Sequence, residues 1–176
     1  MTTLPPLIKN WTDSMRPGKI LFVCTGNMIR SPMGEYFLQK TLSDRGVTDI
    51  LCESAGTLAM DGNPAIGTAV DLMAECSIDM RSHRSRGLTA QMLEETDMIV
   101  CMEIDHLNYC LKIAPHCSEK MHLLGNFIKD DVEKEIDDPI GGMVEDYERA
   151  RERIKQGVTS LADKIVEERN SETSKD

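Results

Sequence analysis

The sequence is poor in aromatic residues and contains no long hydrophobic segment. Its 176 residues include one Trp, three Tyr and three Phe, against twelve Met. We therefore expect a core filled largely by aliphatic and thioether side chains. No run of 18 apolar residues occurs, so no membrane-spanning helix is predicted. The length suits a single domain that buries a sizeable core.

The spacings that mark metal sites and disulfide frameworks are also missing. No Cys-x2-Cys pair and no His-Glu-x-x-His sequence occurs, and the cluster of His106, Cys110, His116 and Cys117 matches neither pattern. The six cysteines are scattered singly, and the first residues lack the basic start and apolar stretch of a signal peptide. We expect a reduced, cytoplasmic protein without a bound metal or cofactor.

Positive charge is scarce. Twenty Lys and Arg face thirty Asp and Glu, which gives a net charge of −10 and an isoelectric point of about 4.9. Such a chain is repelled by nucleic acid and by anionic membrane surfaces, so neither is an expected partner. The composition predicts no particular oligomeric state.

What the sequence does contain is a regular alternation of strand and helix patterns. Short apolar runs predict strands over residues 19–24, 50–54, 98–102 and 121–124. Helical periodicity predicts helices that begin at Pro32, Asn63-Pro64, Ile104 and Val144. For the first helix, we predict Ser31 as the N-cap and Gly46 as the stop. This order is typical of a doubly wound α/β domain with a mainly parallel sheet.

We place this domain at residues 18–167. Residues 1–17 contain three prolines and no periodicity, so they are interpreted as an N-terminal extension. The polar residues 168–176 are interpreted as a fraying tail. Because ligands of open α/β sheets bind at the carboxyl ends of strands, the residues that follow each strand are the candidates for a site.

The most informative segment follows the first predicted strand and leads into Pro32. A tight turn that enters a helix N-terminus presents backbone N–H groups and a positive dipole end to phosphate. Arg30 can grip two phosphate oxygens with its planar fork, and Cys24 is a nucleophile once it is ionised. We predict Cys24 and Arg30 as catalytic residues. The remaining predicted phosphate-binding residues are Thr25, Gly26, Asn27, Met28, Ile29 and Ser31.

Three residues of this loop have specific expected tasks. Gly26 is expected to supply unusual backbone angles. Asn27 is expected to hold the shape of the loop through side-chain bonds to the backbone. Ser31 is expected to hydrogen-bond the thiolate and to assist its departure. A buried, unreactive thiol is the alternative for Cys24, and the nearby arginine and Ser-Pro helix start disfavour it.

Residues 22–35, Phe-Val-Cys-Thr-Gly-Asn-Met-Ile-Arg-Ser-Pro-Met-Gly-Glu, resemble the signature of the low-molecular-weight protein tyrosine phosphatase family. Three later segments agree with that family in order and spacing, at residues 53–57, 97–102 and 137–142. The resemblance covers residues 18–166. It implies a four-stranded parallel sheet flanked by helices on both faces, and a cysteinyl-phosphate mechanism without a metal ion.

The resemblance also implies roles for residues outside the loop. It makes Asp138 the general acid that protonates the leaving group, with Asp137 as the fallback. The following Pro139 favours an extended backbone at Asp138. The resemblance places Ser54 and His83 behind the phosphate loop, where they steady it through Asn27.

Two features depart from the family pattern. The family usually has a second cysteine directly before the loop arginine, and this chain has Ile29 there. A protective disulfide within the loop is therefore excluded. The aromatic walls that stack on the substrate ring in tyrosine-specific relatives are replaced by Met60 and Ile140.

Phosphotyrosine in proteins is the default substrate that the resemblance implies, with small phosphomonoesters as a further substrate class. A protein arginine phosphatase is the first alternative. Those relatives share the Asp-Pro-x-Gly-Gly segment, but they carry Thr at the position of Met28.

Two other functions are weighed against the phosphatase. A thioredoxin-coupled arsenate reductase needs two further cysteines after the third strand. Cys110 and Cys117 lie near that region, but Glu103 stands where the first cysteine is expected. A phosphate-binding module without enzymatic activity would need neither Cys24 nor Asp138.

Overall fold

The computed structural model describes residues 17–173, so the predicted extension, apart from Pro17, lies outside the described residues. These residues contain four strands: β1 (Lys19–Cys24), β2 (Leu51–Gly56), β3 (Met98–Cys101) and β4 (Met121–Leu123). The α-helices of the same range are α1 (Arg30–Asp44), α2 (Gly67–Glu75), α3 (Ala90–Glu94), α4 (Ile104–Ile113) and α5 (Val144–Thr173). Short 3-10 helices span Pro115–Lys120 and Leu124–Phe127.

The strands form one parallel sheet in the order β2-β1-β3-β4. This confirms the predicted four-stranded α/β fold. β1 is central, and its residues from Ile20 to Val23 have no exposed surface. In the sheet register, Cys24 at the end of β1 lies opposite Gly56 at the end of β2. The predicted nucleophile is therefore at the carboxyl edge of the sheet.

Helices cover both faces of the sheet and enclose two hydrophobic clusters. Alternate residues of β3 divide between them, since Val100 belongs to the first cluster and Ile99 to the second. Side chains of α1, α2 and α5 fill the first cluster, and those of α3 and α4 fill the second. Several methionines are fully buried in the first cluster, in agreement with the predicted thioether content: Met33, Met73, Met80, Met98 and Met102.

The helix starts differ from the sequence prediction at two places. α1 begins at Arg30, so Ser31 lies inside the first turn and does not cap it; its hydroxyl is bonded elsewhere. Asn63 and Pro64 do not open a helix, because their backbone pairs with the segment around Arg84 and Ser85, and α2 starts only at Gly67.

The helix ends give one agreement and one correction. Gly46 follows α1 with a φ of 76°, in the left-handed conformation expected of a glycine stop. α5 continues to Thr173, through residues that the sequence pattern assigned to a polar tail. An ion pair of 2.8 Å between Arg169 and Asp49 ties this part of α5 to the body of the domain. Within residues 17–173, no helix combines the length and apolar content needed to cross a bilayer.

Replacing Gly34 by alanine tests the contact between α1 and β1. A Cβ atom at Gly34 would lie 2.6 Å from Cδ1 of the fully buried Phe22. We expect Gly34→Ala to lower the free energy of unfolding by about 1–3 kcal/mol through overpacking. Gly67→Ala, at a helical glycine with open space around it, should leave stability unchanged or raise it by up to about 1 kcal/mol. Urea unfolding of both variants measures this, and equal effects would contradict the close approach.

Candidate active site

The chain turns from β1 into α1 around the thiol of Cys24. This side chain is 3 % exposed, and its Sγ atom lies 2.9 Å from Ser31 Oγ. The backbone N–H of Asn27 donates to the same sulfur at 3.3 Å. Hydrogen-bond donors directed at sulfur stabilise a thiolate. The contact with Ser31 is the one predicted from the sequence, and it explains why this serine does not cap the helix.

The strained backbone position of the loop is Asn27, which has a φ of 53°. The expectation that Gly26 would supply this conformation is wrong, since Gly26 is not among the residues with positive φ. Asn27 tolerates the left-handed conformation because its fully buried side chain is bonded at both ends. Its amide donates to Ser31 Oγ at 2.9 Å and Ser54 Oγ at 2.8 Å, and it accepts from Arg86 N at 2.9 Å.

Ser54 and His83 lie behind the loop, where the resemblance placed them. Ser54 contacts Asn27 through the side chain, and the Nε2 of His83 donates to the Asn27 carbonyl at 2.7 Å. Burial lowers the pKa of His83 despite this backbone bond. Ser54 also donates to Glu35, whose pKa is raised by burial. That these residues serve catalysis stays a prediction.

The phosphate loop packs so closely against the end of β2 that Gly56 leaves no room for a side chain. A Cβ atom at this position would lie 2.5 Å from the carbonyl oxygen of Thr25 and 2.9 Å from the backbone nitrogen of Asn27. Any side chain would push the phosphate loop away from β2. The Ser-Ala-Gly segment thus supports the loop by closeness as well as by hydrogen bonds.

Met28 and Ile29 differ in how deeply they are buried. Met28 is half-buried, and its carbonyl accepts from Ile66 N at 3.0 Å. Ile29 is buried in the first hydrophobic cluster. Its predicted role in phosphate binding is therefore restricted to its backbone. α1 has no side-chain cap at Ile29, which leaves the positive end of the helix available to an anion.

Arg30 is the point where the separate parts of the site meet. Its side chain is 1 % exposed. Nη1 donates to Glu103 Oε2 at 2.7 Å and to the Ile136 carbonyl at 2.8 Å, and Nη2 donates to Asp138 Oδ2 at 2.8 Å. The carboxylate that approaches Arg30 is thus Asp138 and not Asp137. The predicted acid, phosphate clamp and nucleophile loop are brought together.

Glu103 and His106 belong to the site, and the sequence reasoning missed them. His106 Nδ1 accepts from the backbone N–H of Glu103 at 3.0 Å, so the ring proton is on Nε2 and is donated to Thr25 Oγ1 at 2.8 Å. Burial and the nearby guanidinium of Arg30 lower the pKa of His106 to about 4. The available signal was their position directly after β3, the strand beside β1.

The chain matches the family model described as low molecular weight phosphotyrosine protein phosphatase over residues 19–171. It belongs to this family. The low molecular weight protein-tyrosine-phosphatase Etp of Escherichia coli K12 is 38 % identical over 120 residues, which are 68 % of this chain and 76 % of Etp. A protein-arginine-phosphatase of Geobacillus stearothermophilus is 30 % identical and covers 86 % of this chain and 99 % of its own length.

Solved structures of the phosphatase family share the fold. Wzb of Vibrio vulnificus in complex with benzylphosphonate aligns with a TM-score of 0.75 and 33 % identity, covering 83 % of this chain and 97 % of Wzb. The tyrosine phosphatase AmsI of Erwinia amylovora aligns with a TM-score of 0.78 and 29 % identity, covering 87 % and 96 %.

The two cysteines considered for an arsenate reductase lie in the hydrophobic interior. Cys110 is fully buried in α4, with its sulfur 4.0 Å from that of Cys101, and Cys117 is buried in the same cluster.

The four residues considered from the sequence as metal ligands do not converge, because His106 faces Thr25 and His116 lies at the surface beside Glu94. The predicted substrate walls Met60 and Ile140 are largely exposed.

The neutral state of His106 predicts a pH-dependent stability. The unfolded chain binds this proton near pH 6.5 and the folded protein only near pH 4. Between these values the unfolded state holds more protons. The contribution of neutral His106 to the free energy of unfolding is therefore complete above pH 6.5 and is lost as the pH falls towards 4. When the pH is lowered from 7 to 4.5, the free energy of unfolding of His106→Asn should fall by on the order of 2 kcal/mol less than that of the wild type. Urea unfolding at both pH values measures this, and an equal loss in both proteins would contradict it.

Proposed function

We propose that this protein dephosphorylates phosphotyrosine in proteins through a cysteinyl-phosphate intermediate. The observation that carries the proposal is the convergence on Arg30: one buried guanidinium lies beside the nucleophile loop and holds the carboxylate of Asp138 at 2.8 Å. Phosphate binding alone requires neither a nucleophile nor an acid. The relatives named as tyrosine phosphatases support the choice of substrate.

Phosphate binds where the loop N–H groups and the uncapped end of α1 converge. Arg30 then turns its Nη2 from Asp138 towards a phosphate oxygen, while Glu103 continues to hold Nη1. Release from the ion pair frees the Asp138 carboxylate to take up a proton from solvent and to approach the leaving oxygen as the acid. Substrate binding therefore assembles the acid and the nucleophile around the same phosphorus atom.

The reaction proceeds in two displacements. The Cys24 thiolate attacks phosphorus, the bond from phosphorus to the phenolic oxygen breaks, and Asp138 donates its proton to that oxygen. The resulting Asp138 carboxylate then takes a proton from water as the water oxygen attacks the cysteinyl phosphate. The sulfur–phosphorus bond breaks, inorganic phosphate leaves, and Ser31 stabilises the returning thiolate from 2.9 Å.

The residues at the mouth favour an apolar, aryl substrate. Met28 provides an apolar surface at the loop, and Met60 and Ile140 are exposed apolar side chains on the flanking segments. They offer apolar contact to a ring but not the aromatic stacking geometry of tyrosine-specific relatives.

The net charge of −10 disfavours nucleic acid and anionic membranes as partners. The unpaired cysteines favour a cytoplasmic location.

Peptides that carry phosphotyrosine, phosphoarginine or phosphoserine test the substrate assignment. We expect phosphotyrosine peptides to give the highest kcat/KM, because the phenol is a better leaving group than serine and Met28 offers it an apolar surface. Cys24→Ser should lower kcat/KM by about 10⁴-fold or more while phosphate binding, followed by calorimetry, persists. Faster hydrolysis of phosphoarginine peptides would change the assigned substrate to phosphoarginine. An active Cys24→Ser enzyme would refute the mechanism.

A series of aryl phosphates tests the acid. Asp138→Asn should lower kcat/KM for phenyl phosphate by about 100-fold or more, because phenolate departs poorly without a proton. The loss should be much smaller for p-nitrophenyl phosphate, whose leaving group needs little protonation. Asp137→Asn is the matched control and should change neither value strongly. A larger loss at Asp137, or an equal loss for all leaving groups at Asp138, would overturn the assignment.

A further inference from the structure

Arg153 of α5 holds the chain segment that leads to Asp138. Its Nη2 donates to Asp131 Oδ2 at 2.8 Å, to the Glu133 carbonyl at 2.6 Å and to the Glu135 carbonyl at 3.1 Å. Its Nη1 reaches Asp131 Oδ1 at 3.3 Å. One guanidinium thus fixes three alternate residues of an irregular segment, and it is 21 % exposed beside an 11 % exposed carboxylate.

The same segment is bonded on its other side to the residues that follow β3. The backbone N–H of Ile136 donates to the Met102 carbonyl at 2.8 Å, and the Glu135 carboxylate accepts from Ile104 N at 2.7 Å. Gly125 lets the segment pack closely, since a Cβ there would lie 2.3 Å from the Lys134 carbonyl. Residues 131–136 are thus bonded on both sides, and they form the base from which the acid segment extends.

The acid itself lies beyond this base, on a less supported tip. Apart from Pro139, residues 137–143 are exposed. In the described part of the chain, their hydrogen bonds join residues two or three positions apart, and the one exception is the contact of Asp138 with Arg30. A cavity of about 260 Å³ lies between the tip and α5, and four residues of the helix line it: Asp146, Arg149, Ala150 and Arg153. With this space behind it, the position of Asp138 depends on where the base directs the chain.

We propose that Arg153 is a positioning residue for the general acid. It sets the direction in which the chain leaves Ile136 and so places the Asp138 carboxyl over the leaving oxygen. The proposal rests on the proposed phosphatase function and on Asp138 as its acid. Lysine cannot reproduce the contact, because a single ammonium lacks the planar fork that reaches a carboxylate and two carbonyls together.

Arg151 provides a matched control on the same helix. Its Nη1 donates to the Glu75 carboxylate at 2.7 Å and to the Leu72 carbonyl at 3.1 Å, so it also joins a carboxylate and a carbonyl. Its partners lie on α2, away from the acid segment. Arg151→Ala therefore removes a comparable anchor from α5 without touching the base of the tip.

The test measures kcat/KM for phenyl phosphate and p-nitrophenyl phosphate, because kcat/KM reports the step in which the leaving group departs. Arg153→Ala should lose about 10-fold to 100-fold with phenyl phosphate, as expected for a displaced catalytic group, and much less with p-nitrophenyl phosphate. Arg153→Lys and Asp131→Asn should show the same pattern to a smaller extent. Arg151→Ala should leave both substrates close to wild type.

Combination with Asp138→Asn separates positioning from general damage. In that background, Arg153→Ala should cause no further leaving-group-dependent loss, because the acid is already absent. Additive losses, or equal losses with both aryl phosphates, would overturn the proposal. Should Arg153→Ala not fold by circular dichroism, the milder Arg153→Lys and Asp131→Asn decide by the same ratio. An absence of leaving-group dependence in Asp138→Asn alone would instead refute the acid assignment.

Discussion

The buried guanidinium of Arg30 is the interaction on which the organisation of the active site depends. A cation removed from water is costly unless carboxylates and carbonyls compensate it. Here the compensation comes from Glu103 at the start of α4, from the carbonyl of Ile136, and from Asp138, the proposed acid. These partners are 73 to 108 residues away in sequence, so the need to satisfy one charge brings two distant segments to the loop at the carboxyl edge of the sheet.

The local parts of this organisation could be predicted from the sequence. β1 matched its prediction because a central strand of a parallel sheet is a continuous apolar run. The Cys24 to Ser31 loop was recognisable because its spacing has a direct chemical purpose. The end of α1 at Gly46 was predictable because a left-handed glycine is a local requirement.

The parts that failed depend on contacts that residue patterns do not encode. Ser31 is of a residue type that is favoured at the N-cap, but its hydroxyl is bonded to Cys24. Asn63-Pro64 has the composition of a helix start, but its backbone pairs with residues 84 and 85. Glu103 and His106 match no catalytic motif of the sequence, and beyond their position after β3 their role emerges from their bonds to Arg30 and Thr25. At Ser31 and at Asn63-Pro64, hydrogen bonds outside the helix override a local helix-start propensity.

The bonded side chain of Asn27 has a thermodynamic consequence for the reaction cycle. Because this amide holds the left-handed turn through hydrogen bonds within the protein, we expect the entropy of ordering the loop to be lost during folding and not during each encounter with a substrate. A preformed cradle of this kind does not distinguish the phosphoryl group of a substrate from free inorganic phosphate. We therefore expect the released phosphate to compete with the substrate for this loop.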